Sequence, residues 1–232
     1  MRDSPVRWKR EDVGGEAWIV AAALAAIVWG AAGCHAQLRT FARDAERVEV
    51  RTHRAGTPTV DLGVDEAAPE TARGAVVARR AKIAGAAASL NLVRRLNEQF
   101  PPERVESLVG EELARRLEDP PFAAAEENRE ADGTLRLLVQ RFGVVDSEEG
   151  PSFAVDLVVH LRSTASGEPI YSTSLECRQP TFQREFPNRV VRAATAVAYF
   201  RSLSDRALER SIERTFRVCT EKLVERLERH AN

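Results

Sequence analysis

The sequence predicts an α+β fold: an antiparallel β-meander sheet with amphipathic helices packed on one face, preceded by a helical segment. Three observations carry this. Alternating apolar residues mark three runs, 134–145, 152–162 and 168–178, joined by short turn-rich links. Segments before and after them repeat apolar residues at spacings of three, four and seven. The last segment, 205–229, is apolar along one stripe only, as a helix lying on a sheet should be.

Composition bounds the rest. The chain has 232 residues, 44% hydrophobic and 30% charged, with a net charge of -1. That excludes a fully disordered chain and a multi-pass membrane protein. It also lacks the basic excess of a nucleic-acid binder, so no nucleic-acid partner is expected. Only Lys9, Lys82 and Lys222 are lysines, so nearly all basic side chains are Arg. Arg pairs such as Arg79-Arg80 and Arg94-Arg95 are therefore read first as solvated surface.

At the amino terminus, Arg7, Lys9 and Arg10 precede an uncharged apolar run, residues 17–33, which closes on Ala31-Ala32-Gly33-Cys34. A basic segment, an apolar helix and small residues at a cleavage point make a secretory leader. The same residues also fit an uncleaved helical anchor, at the short end of the spanning range. They fit a soluble secreted protein as well.

The small-small-Cys ending resembles the lipobox of bacterial lipoproteins. The resemblance implies cleavage between Gly33 and Cys34, a diacylglyceryl group on the Cys34 thiol and an acylated new amine. Two features depart from that family: Ala31 stands where Leu is favoured, and the leader carries Asp3, Glu11, Asp12 and Glu16. Residue 35 is His, whereas an Asp there retains enteric lipoproteins at the inner membrane. The implied address is the periplasmic face of the outer membrane, with the inner membrane as alternative. The implied organisation is a signal peptide over 1–33, a tether over 34–57 and one periplasmic α+β domain over 58–232.

The polar, weakly patterned residues 35–57 fit that tether, with a short strand at 48–50. Val60, Leu62 and Val64 alternate as a short strand. A helix is expected over 69–99, with Val76, Ile83 and Leu90 seven apart and Ala87, Val93 and Leu96 on the same inward face. Pro101-Pro102 ends it. In 102–118, Val105, Leu108, Val109, Leu113 and Leu117 form the next helical stripe. An acidic connection, 122–133, leads to the meander. In the middle strand Phe153, Val155, Leu157, Val159 and Leu161 share a face; Tyr171, Thr173, Leu175 and Cys177 share one in the third. After an irregular stretch, 180–187, come helices over 189–203 and 205–229, the second capped by Ser204. Its stripe is Leu208, Ile212, Phe216, Cys219, Leu223 and Leu227.

Chemistry-bearing patterns are sparse. Cys177 and Cys219 both sit on inward faces, so they form either a disulfide or two buried thiols. His35, His53, His160 and His230 show no ligand spacing, so no metal site is expected. No Gly-x-Ser-x-Gly elbow, phosphate loop or dinucleotide turn occurs, and neither catalytic residues nor a cofactor is expected. Phe182 and Phe186, in a Pro-flanked loop, are candidate contacts for a partner, or plugs for a sheet edge.

The order helix, three-stranded meander with a turn at Ser166-Gly167-Glu168, then terminal amphipathic helix resembles small periplasmic lipoproteins that serve envelope machines. These are auxiliary lipoproteins of ABC-type lipid transporters and assembly lipoproteins of export systems. Residues 157–176, LVVHLRSTASGEPIYSTSLE, carry the likeness, which covers roughly residues 100–228. It implies a non-enzymatic adaptor or assembly accessory, held at the membrane by its acyl chains and working with envelope protein partners. Direct lipid binding is the alternative, as is a single-pass inner-membrane anchor.

Overall fold

The β-meander forms, but it is only part of the sheet. In the computed structural model the described residues are 35–63, 72–118, 120, 122–125, 130–147, 150–181 and 189–232. Helix α1 covers residues 35–44. It is followed by β1 (Arg47–Arg54), β2 (Thr59–Val60), α2 (Ala72–Gln99), α3 (Pro102–Arg116) and β3 (Ala123–Ala124). The meander is β4 (Gly133–Val145), β5 (Ser152–Ser163) and β6 (Pro169–Pro180). Helices α4 (Arg189–Ser202) and α5 (Asp205–Ala231) end the chain.

Strand order is β3-β1-β4-β5-β6, with β2 also on β4. The meander pairs are antiparallel, whereas β1 and β2 join β4, and β3 joins β1, in parallel. The sheet is thus mixed, which corrects the purely antiparallel expectation. Parallel neighbours need a long crossover, and α2 and α3 supply it between β1 and β4. Gly56 lets the chain pass from β1 to β2 along the same neighbour. A Cβ there would stand 1.7 Å from the Gln140 carbonyl oxygen. Gly143, at φ 143°, similarly admits the Thr59 backbone.

The expected 34–57 tether is corrected over its described part. Leu38 is fully buried in α1, Val48 is fully buried in β1, and β1 pairs with seven residues of β4. Backbone hydrogen bonds to β4, together with the burial of Val48 and the packing of Val50 on the core, hold β1 in place. Its charged alternates face outward, which is why the segment reads as polar.

One sheet face carries the core. Leu135, Leu137 and Val139 point inward, and a register shift between Val139 and Arg141 turns Phe142 and Val144 inward after them. All five expected β5 residues are buried, as are Tyr171, Leu175 and Cys177 of β6. Against them lie Val105, Val109 and Leu113 of α3 and the whole expected stripe of α5. The Phe142 ring meets Phe100 at 6.1 Å and Phe216 at 5.7 Å, tying the end of α2, the sheet and α5 together. Ser204 caps α5 by accepting from the Ala207 N–H.

Helix α2 forms as expected, and of its expected inward face Leu96 is buried and Val93 half-buried, but the rest of that face points outward. Val76, Ile83 and Leu90 are 56%, 66% and 73% exposed, and Ala87 is exposed too. The buried residues are Gly85, Ala88, Leu92 and Leu96. Helix α2 packs chiefly on α4, whose buried Ala193 and Ala196 are also small. Small side chains let two helix axes approach closely, and that contact outweighs the bulkier stripe.

Candidate functional site

Two ends of the sheet hold the candidate features. At the first end, α1 packs where β1 and β4 begin. The Phe41 ring lies against Gly133, a position where a Cβ would come within 2.8 Å of it. The Asp132 carboxylate accepts from the Glu46 and Arg47 N–H groups at 2.8 and 3.0 Å. Those two donors hold its carboxyl below the usual carboxylate range. An open cleft of about 600 Å³ runs beside α1, bordered by Phe41, Ala45, Asp132 and Thr164.

The same end gathers three rings far apart in sequence. The Tyr171 hydroxyl and His230 Nδ1 are 2.8 Å apart, and the His35 and His230 rings are centred 4.0 Å from each other. Burial lowers the His230 pKa, and His35, Arg226, Arg229 and Arg39 lower it further by repulsion. Two neutral imidazoles can stack; two cations at this spacing repel. Local spacing gave no sign of this cluster, since tertiary packing of α1 on the end of α5 creates it. Among the described residues, no group of three or more His, Cys, Asp or Glu gathers that could hold a metal.

The other end lies past the far end of β4. There β2 pairs with Gly143 and Val144, and Asp146 just beyond accepts from Arg192 of α4 at 2.5 Å. The thirteen residues of β4 separate this end from α1 by about 40 Å. Arg95 of α2 donates to Asp205 and to the Leu203 carbonyl, both at 2.6 Å, fixing α2 to the link between α4 and α5. At 100° per residue, Val76, Ile83 and Leu90 fall within about 20° of one line, with Leu92 and Leu96 on the opposite side. Arg79 and Arg80 flank that line, and both are exposed.

The remaining sequence candidates divide. Cys177 of β6 and Cys219 of α5 are bonded, with Cα atoms 5.5 Å apart, so the bridge pins the terminal helix to the outer strand of the meander. His160 is exposed on the open sheet face, its Nδ1 3.0 Å from the Ser172 hydroxyl. Gly33, Cys34, Phe182 and Phe186 lie outside the described residues. No described helix is long and apolar enough to cross a membrane.

No protein-family model matches the chain, and no curated protein matches it. Partial likenesses exist among solved structures. Protein XCC0632 from Xanthomonas campestris, of the DUF330 family, is 16% identical over 51% of this chain, with a TM-score of 0.36. The chain spans only 58% of that protein's length. Protein CT253 from Chlamydia trachomatis is 12% identical over 58% of this chain and 88% of its own, with a TM-score of 0.40. Lipoprotein GNA1162 from Neisseria meningitidis is 13% identical over 69% of this chain and 99% of its own, with a TM-score of 0.27. The similarity to all three is thus partial in geometry and low in sequence.

Proposed function

We propose that this chain is a lipid-anchored cell-envelope lipoprotein, moored through Cys34 and acting as a non-enzymatic adaptor or assembly accessory. The mooring rests on the leader and its small-small-Cys ending. The adaptor role rests on one observation: α2 presents an apolar line to solvent at the end of the sheet remote from α1. Residues this apolar are usually buried within the domain, and a row of them left outside suits an interaction surface. Several acyl chains on Cys34 would exceed the single-chain threshold for stable membrane attachment. The site proposed for the protein is the periplasmic face of the outer membrane.

Labelling with radioactive palmitate tests the mooring. Label is expected on the wild type and none on Cys34→Ser, with the mature mass starting at Cys34. An unlabelled chain that begins at Met1 overturns it.

The cleft beside α1 favours a second reading, an accessory that holds lipid directly. That reading predicts lipid retained through purification and seen by native mass spectrometry. It also predicts loss of that lipid when Ala45, 5% exposed at the cleft, is enlarged to Phe.

A further inference from the structure

We propose that no free spacer separates the anchor from the body: the end of the sheet capped by α1 rests on the headgroup layer of the bilayer, and α5 stands the exposed line of α2 off from it. The inference deepens the mooring reading and rests on it for a membrane attachment at Cys34.

The shortage of loose chain is the first argument. Cys34 is bonded to His35, so their Cα atoms are about 3.8 Å apart. His35 already belongs to α1. That helix is docked, with Leu38 fully buried, Ala45 5% exposed just after it and the Phe41 ring against Gly133. The link to β1 is held as well, because the Asp132 carboxylate accepts from the Glu46 and Arg47 N–H groups. Strand β1 is then paired to β4. An acylated residue keeps its lipid linkage at the headgroup level, since the chains are buried just beneath. A lipid on Cys34 therefore brings His35, and whatever His35 touches, to that level.

What His35 touches is the second argument. Its ring is centred 4.0 Å from that of His230 and 6.3 Å from that of Tyr171. Both belong to the folded body, at the end of α5 and the start of β6. With 27 residues, α5 is about 40 Å long. At its other end Asp205 holds Arg95 of α2. The helix thus separates the anchored end from α2, and a partner of the α2 line meets it at a set height, not anywhere within the swing of a tether.

Surface chemistry is the third argument. Among the described residues the exposed large apolar side chains are Val76, Ile83, Leu90 and Val191, all on α2 and α4 and none on α1 or the end of α5. Exposed Arg39, Arg43 and Arg229 are matched by exposed Asp44, Glu168 and Glu228. Polar surface of mixed sign suits contact with headgroups without insertion, and it gives no preference for anionic lipid. The covalent link, not attraction, puts this end on the bilayer.

The test compares two tryptophans. Arg229→Trp and Ile83→Trp are made separately in the full chain, with Trp8, Trp18 and Trp29 changed to Phe so that one Trp remains. Each protein is held in nanodiscs of headgroup-spin-labelled phosphatidylcholine, with or without phosphatidylglycerol. Emission from position 229 is expected to be mostly quenched, equally in both lipid mixtures and in high salt, while position 83 stays unquenched. A flexible Gly/Ser linker of about 20 residues between Cys34 and His35, spanning about 25 Å, should remove most of the quenching at 229. Quenching at 229 that survives the linker, or that needs phosphatidylglycerol, means attraction to lipid and overturns the proposal. Equal quenching at 83 lays the body on its side and also overturns it. Palmitate labelling reads Cys34 separately. Label without quenching at 229 leaves the mooring and overturns this inference; quenching without label removes the acyl group and leaves the geometry, with the apolar run 17–33 as the anchor.

Discussion

Helices α2 and α5 are nearly equal in length, 28 and 27 residues, and each carries an apolar line legible in sequence. Helix α5 buries its line completely against β5 and β6. Helix α2 buries a different, smaller-sided face and leaves Val76, Ile83 and Leu90 in solvent. The difference teaches that periodicity identifies an apolar face without saying whether the same chain covers it. Helix α5 is held by a cap, a disulfide and a sheet. Helix α2 meets chiefly one other helix, and one helix can cover only one side.

The comparison breaks if truncation costs the two helices alike. Phe216→Ala, which opens a cavity between Phe100 and Phe142, is expected to cost about 3–5 kcal/mol. Ile83→Ala should stay within about 0.5 kcal/mol. Urea unfolding of both variants decides it; a large loss for Ile83→Ala would mean that its stripe is covered in solution.

The second effect concerns the clamp. The Cys177–Cys219 bridge closes a span of 42 residues, which in the chain-entropy model stabilises by about 4 kcal/mol. Replacing both with Ala should lower the unfolding midpoint accordingly and make it insensitive to reductant. A double variant as stable as the wild type would leave the sheet contacts alone to hold α5.

Smaller still is the cap. Ser204→Ala removes the acceptor for the Ala207 N–H and is expected to cost about 1 kcal/mol, read by thermal unfolding. No loss would show that Arg95, on Asp205 and the Leu203 carbonyl, suffices to start α5.

The smallest effect is at the other end of α5. The His230 pKa is lowered in the folded state, so the unfolded chain binds the proton more readily. Stability is then full above the ordinary value of 6.5 and is lost as pH falls through the folded pKa. His230→Gln should flatten that acid limb in a series of melts against pH. An unchanged limb would place the titration elsewhere.

Local signals made much of the fold legible. The meander, the α3 stripe, the Ser204 cap and all six inward residues of α5 follow from alternation, spacing and one side-chain acceptor. Short strands at 48–50 and at Val60 were legible, but the full length of β1 and the parallel pairing of β1 and β2 with β4 were not. Only two of the eight residues in β1 are apolar, and its place is set by hydrogen bonds to a partner many residues away. The candidate sites divide on the same principle. Cys177 and Cys219 show their inward faces locally, whereas their 5.5 Å Cα separation belongs to the packing of α5 on β6. His35, Tyr171 and His230 carry no shared spacing; packing of α5 on β6 brings Tyr171 and His230 together, and the docking of α1 adds His35.

By itself the sequence determined the α+β class, the meander and the stripe that covers it. These depend on backbone periodicity and on residues adjacent in the chain, where the relevant energies are local. Tertiary structure alone decided that the sheet is mixed, that residues 35–54 belong to the folded body, and which side of α2 remains outside. Those outcomes depend on how closely distant elements approach and on how few of them are available to cover an apolar surface.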